Sequence, residues 1–431
     1  MPGFRRNLRT RSRVKIEIPS RAIKPLVITA TSVIIICIAI LGVKEVNQNI
    51  EIAKKQEQID SIIYNLFEEE DYENVELLDI EFPDKVINIV STGDILCETG
   101  ILEDAYNEET GTYEFSQMFT DVKQYIQDAD ITLASVETNF VEGEEYSGRL
   151  QYNAPLTLLN TIKDLGIDII NTANNHSLDY GFRGIESTIN NIQKVGLENV
   201  GTYKTEEDSS KILVKEIKGI KIAFLAYTYG ITSNPKNLQE APYALNITEK
   251  EKMIADIKES KDQGADFTFV LMHWGDVESS VQNNEQKELA DFLFQNGADF
   301  IFGTHPASIQ PMEVRENNQE KNIFIAYSTG NLISSREYKN SNVEMILNIE
   351  ITKDAKTGDT RLSKVTYTPV YLLDRGEKAE DRYKLLDVKK EIENYENRIK
   401  KYISKEEYEK CLQALIDIDR LIGKNKEWHL T

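Results

Sequence analysis

The chain has 431 residues, 40% apolar and 28% charged, with a formal net charge of −22. This is an ordinary globular balance, enough for one large domain with appendages or for two domains, and it sets aside a disordered chain. The acidic excess argues against a nucleic-acid binder, because it repels a phosphate backbone. The three scattered cysteines, Cys37, Cys97 and Cys411, make neither a disulfide framework nor a CxxC metal pattern.

Residues 1–25 form a basic tail. Eight arginines and lysines stand against Glu17 in residues 1–24, a net of +7 that leaves −29 for the rest. Residues 26–43, LVITATSVIIICIAILGV, contain no charge. At about 1.5 Å rise per residue they span roughly 27 Å as a helix, close to a hydrocarbon core. No small-residue cleavage site follows Val43, so the segment reads as a retained transmembrane helix. Basic residues beside a span stay in the cytoplasm. The expectation is a single-pass protein of the cell membrane, its N-terminus cytoplasmic and its main domain extracytoplasmic. Residues 44–84 read as a stalk or linker.

From residue 85 short β-branched runs alternate with amphipathic stretches. Strands are expected at Val86–Val90, Ile131–Val136, Ile167–Asn171, Ile220–Tyr227, Phe267–Met272, Phe300–Phe302 and Ile323–Tyr327. Helices are expected at Leu156–Leu165, Ile185–Val195, Thr248–Gln263 and Asn284–Asn296. Lys218-Gly219 signals a hairpin, and Val343–Ile351 with Leu362–Tyr371 is a second strand pair, so the sheet is mixed. Residues 85–376 form an α/β domain, and residues 377–431 a charged helical C-terminal extension with no chemistry of its own.

Chemistry in such folds gathers where strands end. Three of the four histidines, His176, His273 and His305, sit at expected strand ends, and the same loops supply Asp94, Glu137, Asn175 and Asp179. Imidazole, carboxylate and amide donors together suit a divalent ion such as Mn²⁺, Fe²⁺ or Zn²⁺. Taken singly, Asp94, Asn175 and Asp179 also read as turn or cap residues, and Trp274 reads equally as pocket wall or core.

The run NAPLTLLNTIKDLGIDIINTANNHSLDYG, with STGDILCE, SVETNF, HWGDVE, GTHP and YSTGNL in order around it, resembles the bacterial capsule synthesis CapA family over roughly residues 86–335. These are also described as poly-gamma-glutamate synthesis proteins and are similar in fold to calcineurin-like metallophosphoesterases. The resemblance implies a sandwich of two mixed sheets flanked by helices, with a metal site at the strand ends. It makes Asp94, Glu137, Asn175, His273 and His305 metal ligands and His176 a general acid or transition-state donor, with Asp179 a second carboxylate able to orient it. Leu96 and Ala307 stand where the two-metal enzymes carry histidines, so the expected centre holds one strongly bound ion, or two with one weak position. The resemblance further implies membrane-bound polymer synthase subunits as partners and an anionic polymer as a ligand. Two functions stay open: an accessory of capsule or poly-gamma-glutamate synthesis, export or anchoring, and a metal-dependent hydrolase of the phosphoesterase type.

Overall fold

The computed structural model describes residues 12–19 and 75–430, apart from 337, 339, 340, 380, 400–402 and 423–427. Residues 26–43, read above as a span, lie outside the described residues. Among the described residues no helix is long and apolar enough to cross a membrane. The chain divides into two units, Met1–Lys85 with Lys353–Asp359, and Val86–Thr352 with Thr360–Thr431. In the first, Ser12–Pro19 pairs antiparallel with Val75–Phe82, Ile16 opposite Leu78. The sequence reading gave the one strand to the tail and the other to the stalk.

The second unit follows from the period-2 alternation of its strands. Its larger sheet runs Glu198–Val200, Ile169–Asn171, Ile131–Val136, Lys85–Ile95, Val343–Lys353, Thr360–Asp374, Tyr383–Asp387, with Asn331–Ile333 joined to Lys85–Ile95 and Trp428–His429 to Thr360–Asp374. The smaller sheet runs Leu213–Ile217, Ile220–Thr228, Phe267–His273, Phe300–Thr304, Asn322–Ala326, Met312–Glu316. Alternate residues of the two sheets share one core: Ile87, Ile89, Ile131 and Leu133 from the larger, Phe224, Phe269, Phe300 and Phe302 from the smaller. The residues between them face outward under helices. Val90, Ala134 and Val136 pack with Leu158, Leu159 and Ile162 of helix Leu156–Asp164. Leu225, Val270, Met272 and Ile301 pack with Met253 and Ile257 of helix Lys250–Asp262 and with Ala290 and Leu293 of helix Asn284–Gln295. The result is helices, sheet, sheet, helices. Each large apolar side chain fully buried in it contributes about 1.5–3 kcal/mol.

Four strands of the smaller sheet and five of the larger run parallel. In the smaller sheet Thr228 is level with His273, and His273 with Thr304. In the larger, Asp94 is level with Ser135 and Asn331. The C-terminal ends of both sets carry the motif loops.

One expectation changes at the C-terminus. Residues Tyr383–Asp387, read as part of a helical extension, form a strand antiparallel to Thr360–Asp374, so the sheet continues past residue 376. Five residues between charged runs give too short a periodicity to be read. Helix Lys405–Ile422 buries Cys411, Ala414 and Ile418 in the core between the sheets, while Cys97 lies in the core under the larger sheet. Both thiols are free.

Candidate metal centre

Close backbone approach sets the site's floor. Gly93 and Gly330 pack so tightly that a Cβ on Gly93 would lie 2.3 Å from the Gly330 carbonyl oxygen. That contact lets the Asp94 N–H donate to the same carbonyl at 3.0 Å. Gly330 itself has φ +79°, open to glycine at little steric cost. The glycines of the STGD and STGN blocks therefore serve to bring two strand ends together.

Asp94 is the next-to-last residue of the Lys85–Ile95 strand, and Glu137 follows Ile131–Val136 directly, its N–H donating to Ile95 O at 3.0 Å. His273 is the last residue of its strand and His305 the first after Phe300–Thr304. His305 has φ +95° and Ala307 φ +55°. Non-glycine residues there cost about 1–2 kcal/mol each, and such strain is held only where neighbours over-determine it. For His305 the holding group is Asp94, whose Oδ2 accepts the His305 N–H at 2.9 Å.

Glu137, His273 and His305 each offer one ligand atom, all within 4.8 Å of one another and all buried. Asn175 joins them: its Oδ1 lies 2.7 Å from His273 Nε2. An amide oxygen only accepts, so here the imidazole carries its proton on Nε2. On the far side His273 Nδ1 meets the Thr304 hydroxyl at 3.2 Å, a group able to donate or accept and so to allow the other tautomer, with Nε2 bare. Asp94 sits beside this group, its Oδ2 4.0 Å from His273 Nδ1.

His176 stands at the rim, 9% exposed. Its Nδ1 lies 2.9 Å from Asp179 Oδ2, which also accepts the Tyr152 N–H at 2.9 Å. With Nδ1–H donating to the carboxylate, Nε2 faces inward, 3.8 Å from Glu137 Oε1. Asp179 thus touches His176 as expected from its place three residues on.

Electrostatics mark the centre as short of positive charge. Burial raises the Asp94 carboxyl to about 6. Burial, then the charge of Asp94, lifts Glu137 well above the carboxylate range. Burial, then neighbouring His305, holds His273 well below its ordinary value, and burial with the Arg336 charge lowers His305 to about 4. Both imidazoles are neutral at pH 7, as metal ligation requires. Three buried polar atoms here have no hydrogen-bond partner: Asp94 Oδ1, Glu137 Oε1 and His305 Nδ1. Orphaned buried acceptors are costly, and a divalent ion among carboxylate, amide and imidazole donors would satisfy them.

The two departures are apolar in space as in sequence. Leu96 is fully buried with its N–H on Ile333 O, and Ala307 is 1% exposed. Trp274 is core: it is 3% exposed, and its indole N–H donates to Tyr327 O at 2.9 Å.

Four further residues border the group: Arg336, which in sequence is only one of three arginines near the motifs, and Glu98, Tyr229 and Thr304, which sequence reasoning missed. Arg336 places Nη2 3.6 Å from Glu137 Oε1, and Glu98 holds the same guanidinium. Tyr229, about half exposed, lays its ring 4.8 Å from that of His305. Thr304 supports His273. None has a spacing signal, although Glu98 belongs to the STGDILCE block and Thr304 to GTHP.

Residues 88–336 match the family model for the bacterial capsule synthesis protein PGA_cap. The capsule biosynthesis protein CapA of Bacillus anthracis is 26% identical over 236 residues, 52% of this chain and 56% of that protein. The PGA biosynthesis protein CapA of Bacillus subtilis (strain 168) is 29% identical over 197 residues, 46% and 50% of the two chains. The chain spans about half the length of these curated relatives. Among solved structures, the calcineurin-like phosphoesterase YfkN from Bacillus subtilis superposes at TM-score 0.42 with 14% identity, covering 67% of this chain and 91% of that one, a distance at which it bears on neither substrate nor chemistry.

Removing the charge of Asp94 tests the missing positive ligand. Its folded value of about 6 exceeds the ordinary 3.8, so between them the fold binds the extra proton and stability falls as pH rises. In chelator-treated protein, Asp94→Asn is expected to melt higher than wild type at pH 7.5, with the gain shrinking towards pH 4. Equal melting temperatures at pH 7.5 would show that the Asp94 charge is already compensated.

Proposed function

Because the chain belongs to the bacterial capsule synthesis protein PGA_cap family, we propose that it is a membrane-anchored extracytoplasmic protein of capsule or poly-gamma-glutamate synthesis, export or anchoring, working beside membrane-bound synthase subunits. The observation that carries this reading is the family match itself, which spans every motif loop of the site. The curated relatives named for capsule and PGA biosynthesis support the same polymer class. The uncharged run at 26–43 and the basic tail before it support the anchor.

The centre is proposed to hold one divalent ion, Mn²⁺, Fe²⁺ or Zn²⁺, on Glu137, Asn175, His273 and His305. Asp94 would be left to position His305 and to hold at most a second, weakly bound ion. When bound, such an ion polarises an oxyanion or carbonyl and lowers the pKa of water. The chain's own contributions are separable from that. Burial keeps His273 and His305 neutral, Thr304 lets His273 bare its Nε2, and Asp179 keeps His176 Nε2 pointed at the centre.

A specific observation favours the hydrolase reading as a second function. The His176–Asp179 pair is built as a proton donor beside the ligand group, more than a passive polymer-handling surface requires. In a host lacking the gene, His273→Ala is expected to leave surface polymer unrestored. If His176→Ala restores it fully, the role is accessory; if it abolishes both polymer and turnover of a model phosphodiester by the purified protein, the site is hydrolytic. Full restoration by His273→Ala would count against any role for the centre.

The anchor has its own test. Paired strands lie about 4.8 Å apart and cannot straddle a bilayer, so the Ser12–Pro19 and Val75–Phe82 pairing and a span between the two strands exclude each other. Cysteines placed at Ile16 and Leu78, opposite each other in the register, should fail to cross-link in intact membranes. Efficient cross-linking would contradict a span between them.

A further inference from the structure

We propose that Arg336 anchors an oxyanion subsite beside the Glu137, His273 and His305 group, taking a carboxylate or phosphate of the ligand. This rests on the reading of that group as a divalent-cation site and names the chemistry that the site accepts.

Three arginines lie near the motifs in sequence. Arg149 is exposed, and Arg183 pairs with Glu144 at the surface. Arg336 instead turns inward from the loop after Asn331–Ile333. Its Nε donates to Glu98 Oε1 at 2.7 Å, and its Nη2 donates to the Tyr152 hydroxyl at 3.3 Å and lies 3.6 Å from Glu137 Oε1. Glu98 is itself fixed, its Oε2 accepting from the Ser334 hydroxyl and the Ser335 N–H, each at 2.7 Å. The guanidinium is therefore aimed rather than loosely placed.

Its hydrogen-bonding capacity is only partly used. A guanidinium has five N–H donors in a planar fork. Nε and Nη2 are engaged, while Nη1 has no hydrogen-bond partner among the described residues, and the side chain keeps 15% of its surface exposed. A guanidinium with a free Nη1 beside a ligand group has charged N–H donors left for an oxyanion. The half-exposed ring of Tyr229 lies tilted against His305 at 4.8 Å and parallel to His273 at 6.3 Å, an aromatic wall beside the same group.

Charge adds a condition. Glu98 already balances Arg336, and Glu137 lies beside the pair, so the pocket holds no net positive charge for an anion until a divalent cation is present. Oxyanion binding is therefore coupled to metal binding. This separates Arg336 from a purely structural guanidinium, which would neutralise the two carboxylates whether or not an ion were bound.

The test is calorimetric titration of the full chain with inorganic phosphate and, separately, with glutarate, in Mn²⁺-loaded and chelator-treated protein, with metal content measured alongside. Wild type is expected to bind one of the two only when loaded, and which one binds identifies the oxyanion. Arg336→Met should weaken that binding roughly tenfold or more at unchanged metal content. Arg336→Lys should fall between, keeping the charge but losing the fork, and serves as the folded comparison if the methionine variant is unstable. Unchanged affinity in either variant at full metal content, or no binding of either anion by loaded wild type, overturns the subsite. Wild type that takes up no metal fails the underlying reading instead, and the subsite with it.

Discussion

Two carboxylates and two imidazoles share a space from which the fold has removed water, and the rest of the site is arranged around the cost of doing so. Asp94 and Glu137 are at most 1% exposed, and each keeps an oxygen with no hydrogen-bond partner. Burying a charge without compensation is among the most expensive arrangements a protein adopts. Arg336 offsets part of it but is shared with Glu98. His273 and His305 cannot help by protonating, because burial holds both neutral. What the centre lacks is a positive charge able to reach carboxylate, amide and imidazole atoms at once.

The two sheets make that arrangement possible. Parallel pairing in register brings His273 level with Thr304 and Asp94 level with Ser135 and Asn331, so loops distant in sequence meet without long connections. The remaining alignment comes from a strained turn at His305 that Asp94 holds by its backbone. Asp94 thus has a job its motif did not suggest: one carboxylate oxygen clamps the main chain of His305, while the other has no hydrogen-bond partner.

Most of the layered fold was legible because its strands are fully buried and its helices amphipathic, and both patterns survive in a single sequence. Ile131–Val136 and the hairpin at Lys218-Gly219 came out close to their observed bounds. The strand at Tyr383–Asp387 did not, because five residues inside a charged stretch carry no usable period. The ligand loops were legible as histidines and carboxylates after strands. Glu98 and Tyr229 were not, and Arg336 was legible only as a basic residue near the motifs, since what places them is a salt bridge over 238 positions and a tilted ring contact across loops, and neither leaves a trace in local spacing. Trp274 shows the converse: a motif residue whose neighbours in space make it core.

The measurement that bears most directly on this account is the transition-metal content of the purified protein by elemental analysis, beside a His273→Ala/His305→Ala variant of confirmed fold. The account predicts about one ion per chain in the wild type and none in the variant. A folded wild type supplied with Mn²⁺, Fe²⁺ and Zn²⁺ that holds no more metal than the variant would contradict it.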